Sequence, residues 1–155
     1  MKTIALLLLL AAVFLAFRLV MPSVGSKAVA GVKVKDGKSS LADCPDTPNC
    51  QCSEASRQSQ RVARLAISQN PANSIATLAS IIEGMPGMTI VQSDEKYLYA
   101  TATTRIMQYV DDIEFLLDED TKSIQVRSAS RLGRSDFGAN AKRIDAIRAS
   151  AEGRL

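Results

Sequence analysis

The side chains able to do chemistry gather in two stretches. YVDDIEF (residues 109–115) carries Asp111, Asp112 and Glu114. RSASRLGRSDFGAN (residues 127–140) carries Arg127, Arg131 and Arg134 with Ser128, Ser130, Ser135, Asp136 and Asn140. Three guanidiniums near a helix start can hold a phosphate, sulfate or carboxylate, because planar N–H forks match anionic oxygens and the helix end adds partial positive charge. The same arginines can instead pair with Asp111, Asp112, Glu114 and Asp136 and pin a helix to a sheet. Clustered carboxylates also serve as acid–base pairs or as ligands for Mg²⁺ and Ca²⁺. Neighbours in a strand point to opposite faces, so Asp111 and Asp112 form no facing pair without a bulge, whereas Asp112 and Glu114 share a face.

Other chemistries are excluded by what is missing. There is no His, which removes Ser-His-Asp and Cys-His catalysis and every His-containing zinc site. None of Ser128, Ser130 and Ser135 has a base in a His or Ser-x-x-Lys arrangement, and there is no Gly-rich phosphate loop. No metal and no cofactor is expected. Tyr97 and Tyr99 are expected to pack in a strand. The formal net charge of +3 is unevenly spread: residues 1–43 carry six basic and two acidic side chains, residues 44–155 thirteen basic and fourteen acidic ones. The domain itself is near neutral, which argues against a nucleic-acid partner and favours pairing of the arginines.

The elements that must position these residues follow from patterning. Residues 3–17, TIALLLLLAAVFLAF, are uncharged behind Lys2, and extension past Arg18 to Met21 gives nineteen residues. That length is enough to span about 30 Å of hydrocarbon as a helix. An anchor over 1–21 is expected, contacting the membrane through residues 3–21. The alternatives are a cleaved signal, with AVA at residues 28–30 as a distant small-x-small site, or a buried core helix. The basic flank after the span would hold the domain in the cytoplasm, whereas the cysteines favour export; an extracytoplasmic, periplasmic placement is expected. Residues 22–43 form a flexible tether, although VKVK (32–35) alternates and is able to pair as an edge strand. A single domain over 44–150 and a tail over 151–155 follow.

CPDTPNCQCS places Cys44, Cys50 and Cys52 around two prolines. The structural reading is a Cys44–Cys50 disulfide closing a turn-rich loop, with Cys52 free; a redox pair or a thiolate metal site are the alternatives. Farther on, SIATLASIIE has an apolar stripe of Ile75, Leu78, Ala79 and Ile82, with Asn73 or Ser74 as a cap and Gly84 and Pro86 as a stop. MTIVQS and KYLYATAT flank Asp94-Glu95 as a hairpin, and YVDDIEFLL and KSIQVRSA form a second. With Glu119-Asp120 as its central residues, Phe115 faces Ile124 and Asp112 faces Arg127. Ile113, Phe115, Ile124 and Val126 then share the core face, and Asp112, Glu114 and Arg127 the other. Asp111 falls on the apolar parity and needs Arg131 or a basic residue of the final helix as partner. That helix starts at Ser135 or Asp136, continues over about 139–149, buries Ile144 and Ile147, and has Phe137 packing at its start. The expected fold is α+β, order αββββα: a four-stranded antiparallel sheet with two helices on one face, preceded by the apolar helix.

CPDTPNC (44–50), YVDDIEF (109–115) and VRSASRLGRSDFGANAKRID (126–145) closely resemble, in order and spacing, the family catalogued as domain of unknown function 1499, found in bacteria and plastid-bearing organisms. The resemblance covers nearly all of residues 44–150. It implies a small domain behind a membrane or targeting segment and brings no established activity. The family's polar motif falls here on Asp111, Asp112, Glu114, Arg127, Ser128, Ser130, Arg131, Gly133, Ser135, Asp136, Gly138 and Asn140. Arg134 stands where an aromatic is expected, and Cys52 adds a third thiol beside the usual pair. The expected function is non-enzymatic binding of a small anionic ligand or an envelope partner. A hydrolase or divalent-metal enzyme using Asp111, Asp112 or Glu114 is the first alternative, and a structural envelope component the second.

Overall fold

The computed structural model describes residues 2–24, 27–35, 37–68 and 70–155. Helix α1 (Lys2–Val24) is apolar over Lys2–Val20, with a mean hydropathy of 2.6, and is long enough to cross a membrane or act as a signal. None of that stretch is buried within the protein, as a helix with an apolar surface all round requires when it has no core to enter.

The segment after α1 departs from the expected tether. Strand β1 (Val32–Lys35) pairs with β2 (Lys38–Leu41) as an antiparallel hairpin, Val32 opposite Leu41 and Lys35 opposite Lys38. VKVK therefore does pair, but with KSSL and not at the edge of the main sheet. Leu41 is buried against Cys52, Ala55 and Leu116, and its N–H donates to Gln125 Oε1 at 3.0 Å. Ahead of the hairpin, the backbone of Val29 and Gly31 is hydrogen-bonded to the sheet. Hydrophobic periodicity is blind to a segment held this way, because one leucine and a few backbone N–H groups do the holding. Gly25, Ser26 and Asp36 of the expected tether lie outside the described residues.

The main sheet is antiparallel and has six strands, two more than expected. They are β3 (Cys50–Cys52), β4 (Leu65–Ala66), β5 (Met88–Ser93), β6 (Tyr97–Thr103), β7 (Val110–Asp118) and β8 (Ser123–Ser130). The order is β3-β8-β7-β6-β5, with β4 also on β8. Segments of two and three residues are too short to show a period, which is why β3 and β4 escape sequence reading. Helices α2 (Ser74–Glu83) and α3 (Ala139–Ala151) both cover the face carrying Ile113, Phe115, Ile124 and Val126, burying Ile75, Leu78 and Ile82 from α2 and Ile144 and Ile147 from α3. Each such side chain contributes about 1.5–3 kcal/mol on burial.

Three local expectations are corrected. The β7–β8 register is Phe115 to Val126 and Glu114 to Arg127, so residues 119–122 all belong to the turn, with Lys122 at φ 46°. This is a slip of two residues, and an even slip leaves the side chains on their expected faces. Asn73 takes the N-cap position of α2, but neither its side chain nor that of Ser74 makes a capping bond: Pro71 opens a 3-10 turn upstream, Asn70 accepts from Ala72 N–H at 3.1 Å, and Ser74 Oγ donates to Pro71 O. Finally, α3 starts at Ala139 after Gly138 in the left-handed region (φ 79°), not at Ser135 or Asp136. Phe137 does not pack there; it has φ 52° and is 92% exposed. Asp136 fixes this turn by accepting from the N–H groups of Gly138 (3.0 Å) and Asn140 (2.9 Å).

Candidate functional site: two charge-paired faces of one sheet

Strand alternation divides the expected site residues of β7 and β8 between the two faces. Toward α3, Asp111 Oδ2 accepts from Arg143 Nη2 at 2.6 Å. The Arg143 Nη1 donates to Ser128 Oγ (2.9 Å) and Asn140 Oδ1 (2.6 Å), and Ser128 Oγ donates to Asn140 Oδ1 (2.5 Å). Asn140, fully buried, directs its Nδ2 at Asn49 O, Ser130 Oγ and Asp136 Oδ2. A basic residue of the final helix is thus the partner of Asp111, and the whole group ties α3 to β7 and β8.

On the opposite face, Asp112 and Glu114 are both 0% exposed. Asp112 Oδ1 accepts from Tyr99 OH (2.7 Å), Arg131 Nε (3.0 Å) and Arg131 Nη2 (2.7 Å), and its Oδ2 from Val29 N–H (2.7 Å). Glu114 Oε1 accepts from Gly31 N–H (2.6 Å) and Tyr97 OH (2.8 Å), and Oε2 from Arg127 Nη1 (3.0 Å). Arg127 Nη1 also donates to Val29 O at 3.0 Å, while its buried Nε has no partner among the described residues. Two carboxylates, two guanidiniums and two phenols thereby surround an extended backbone. Each carboxylate accepts one of its N–H groups, and a guanidinium donates to its carbonyl.

Burial dominates the acidities. It pushes the Glu114 carboxyl up, against the opposing pull of Tyr97, Arg127 and Gly31. Burial and then the hydrogen bond to Asp112 hold the Tyr99 phenol up at about 12, and Tyr97 is raised in the same way by burial and Glu114. Both phenols are therefore protonated donors at neutral pH. The Asp112 carboxylate, through its hydrogen bond, raises Arg131 further.

Two expected members stand apart. Arg134 and Ser135 are exposed in the loop, and Ser135 Oγ accepts only from Phe137 N–H, at 3.3 Å, among the described bonds. Sequence reading missed Tyr97, Tyr99, Arg143, Val29 and Gly31. The i, i+3 spacing of Asn140 and Arg143 was an available signal for α3. The tyrosines required the β6–β7 register, Tyr99 opposite Glu114, which a long intervening loop conceals. No group of three Cys, Asp or Glu able to hold a cation occurs among the described residues. Cys44 and Cys50 are joined in a disulfide; Cys52 is free and buried, its thiol pushed up to about 11 chiefly by burial and hence unreactive at neutral pH.

The fold and these two faces define a class: an α+β domain with an N-terminal apolar helix, one sheet face packed by helices and the other covered by its own leading segment. Residues 40–150 match the family described as "Protein of unknown function (DUF1499)", and the chain belongs to that family. No curated protein and no solved structure matches it.

Proposed function

We propose that the protein is a membrane-anchored, extracytoplasmic, non-enzymatic binding domain that engages an envelope partner through the Asp112–Glu114–Arg127 face. The observation behind this reading is that the face already holds extended backbone: N–H groups of Val29 and Gly31 on the two carboxylates, the Val29 carbonyl on Arg127. Extended peptide is the chemistry such an array recognises, since main-chain bonds supply affinity whatever the side chains are. A depression of about 520 Å³ beside the segment, lined by Ala30, Gly31, Gln92, Tyr97 and Tyr99 among others, gives a partner's chain room alongside. A small anion is less well served, because Arg127, Arg131 and Arg143 are each paired with a carboxylate.

The test is site-specific photocrosslinking in intact cells, with the photoreactive residue at Gln92, on the rim of the depression, or at Asn73 as an off-site control. An adduct of one reproducible mass from Gln92 alone supports the reading. Equal labelling from both positions, or none from Gln92, sinks it. Native mass spectrometry of the same protein would reveal the small-ligand alternative as an extra mass lost in Arg127→Ala.

A further inference from the structure

One end of the sheet has a surface that the charge-paired faces do not use. Two loops meet there: 104–109 between β6 and β7, and 131–138 between β8 and α3. They are joined by Arg131 N–H donating to Val110 O at 3.2 Å. Three of their apolar side chains point outward, with Phe137 92% exposed, Ile106 65% and Tyr109 36%, while Met107 and Leu132 are half-buried. Both loops also hold a non-glycine residue in the left-handed region, Phe137 at φ 52° and Gln108 at φ 58°. A bulky aromatic held in that conformation without burying its ring is strain with no gain in packing, the situation in which strain points to function. Arg105 and Arg134, both exposed, flank the apolar tips. Asp136, the acid nearest Arg134 in sequence, is occupied by the Gly138 and Asn140 N–H groups.

The far end has the opposite character. Its two turns bring together Asp94, Glu95, Asp118, Glu119 and Asp120, with Lys96 bonded to Glu119, Arg64 to Asp118 and Lys122 in the second turn, so carboxylates outnumber cations there. The two ends thus differ, with arginines and exposed apolar tips at one and a partly paired excess of carboxylates at the other.

The chain leading from α1 arrives at the arginine end. Gly31 sits on Glu114 and Val29 on Asp112, so the path back toward α1 runs along β7 toward Val110, where the two loops lie. Five residue steps separate Val24, the last of α1, from Val29, and they reach about 18 Å at most. We infer that this end rests on the lipid surface that α1 enters, with Phe137 and Ile106 in the interfacial region and Arg105 and Arg134 against headgroup phosphates. Apolar tips ringed by arginine match the layered chemistry of that interface. The tether makes the contact intramolecular, so a small patch suffices. The inference rests on α1 being retained as an anchor.

The sequence contains no Trp, so a single introduced one reports without background. The full chain is reconstituted in vesicles of zwitterionic and anionic phospholipid, as Phe137→Trp, Ile106→Trp or, from the acidic end, Asp120→Trp. Acyl chains brominated near the headgroup should remove most of the emission of Phe137→Trp and Ile106→Trp and shift the rest to the blue, leaving Asp120→Trp as in water. Adding Arg105→Glu and Arg134→Glu should weaken quenching of the Phe137→Trp reporter on anionic vesicles. Protein that floats with the vesicles but is unquenched at both tips overturns the lipid surface and leaves this end to a protein partner. Protein that fails to float overturns the anchor itself, and the docking with it.

Discussion

The Glu114–Arg127 pair offers the sharpest check on how the polar face is held. Both side chains are nearly inaccessible, and their contact is 3.0 Å. Removing one partner of a buried pair leaves an uncompensated charge and costs about 3–5 kcal/mol, whereas replacing both is often near neutral. Glu114→Gln keeps acceptors for Tyr97 OH and Gly31 N–H, so its cost isolates the stranded Arg127 guanidinium and should fall within that range. Arg127→Met should cost less, because burial has already raised the Glu114 carboxyl and its protonation relieves the stranded charge. In the double variant the side-chain amide introduced by Glu114→Gln can donate to the Val29 carbonyl that Arg127 releases, and stability should return to within about 1 kcal/mol of wild type. Urea unfolding followed by far-ultraviolet circular dichroism, in micelles that shield α1, measures all four corners of the cycle. Additive losses would refute the pairing argument; so would a loss below about 1 kcal/mol in Glu114→Gln.

Four further outcomes follow from the same geometry. Since folding raises the Glu114 pKa, its protonated form is favoured in the folded state; the stability this group contributes is complete below its ordinary value of 4.5 and declines as pH rises above it. Urea midpoints across pH should therefore fall less steeply above that value in Glu114→Gln than in wild type, and parallel curves would contradict the assignment. Gly31→Pro deletes the N–H donated to Glu114, which should cost about 1–3 kcal/mol and speed tryptic cleavage at exposed Lys33; an unchanged cleavage rate would mean the segment is not held by that bond. Replacing Cys44 and Cys50 by Ser opens a loop with a sequence separation of 6 and should lower stability by about 2.4 kcal/mol. Buried Cys52 should react with maleimide only on unfolding, and rapid labelling of native protein would show that its burial is wrong.

How far the fold was legible depended on the length and the reach of each signal. The α2 stripe, the Asp94-Glu95 hairpin and the inward Ile144 and Ile147 of α3 all stand in local periodicity, and each is found as read. The separation of Asp111 from Asp112 was readable too, because alternation survives an even register slip. β3 and β4 were not, being three and two residues long. The polar face was half legible: Asp112, Glu114, Arg127 and Arg131 belong to it, but Tyr97, Tyr99 and the Val29–Gly31 backbone reach it from 13 to 83 residues away along the chain. Phe137 misled because an aromatic beside a helix start is expected to be buried, and the left-handed backbone at Phe137 and Gly138, held by Asp136, turns it outward.

The position of Gly31 gives the two fates of α1 different chemistry. If the small-x-small sequence at residues 28–30 is cut, Gly31 becomes the first residue, and its amide nitrogen, 2.6 Å from Glu114 Oε1, becomes an α-ammonium. Such a group has a pKa of about 7.7–8.0 and is charged at neutral pH. Glu114 then gains a second cation beside Arg127, which lowers its carboxyl, while Asp112 loses the Val29 N–H and Arg127 the Val29 carbonyl. A released domain would carry an N-terminal ammonium buttoned onto a buried carboxylate and an open berth for one peptide unit next to it. Proteolysis at that site would therefore uncover part of the polar face as well as free the domain.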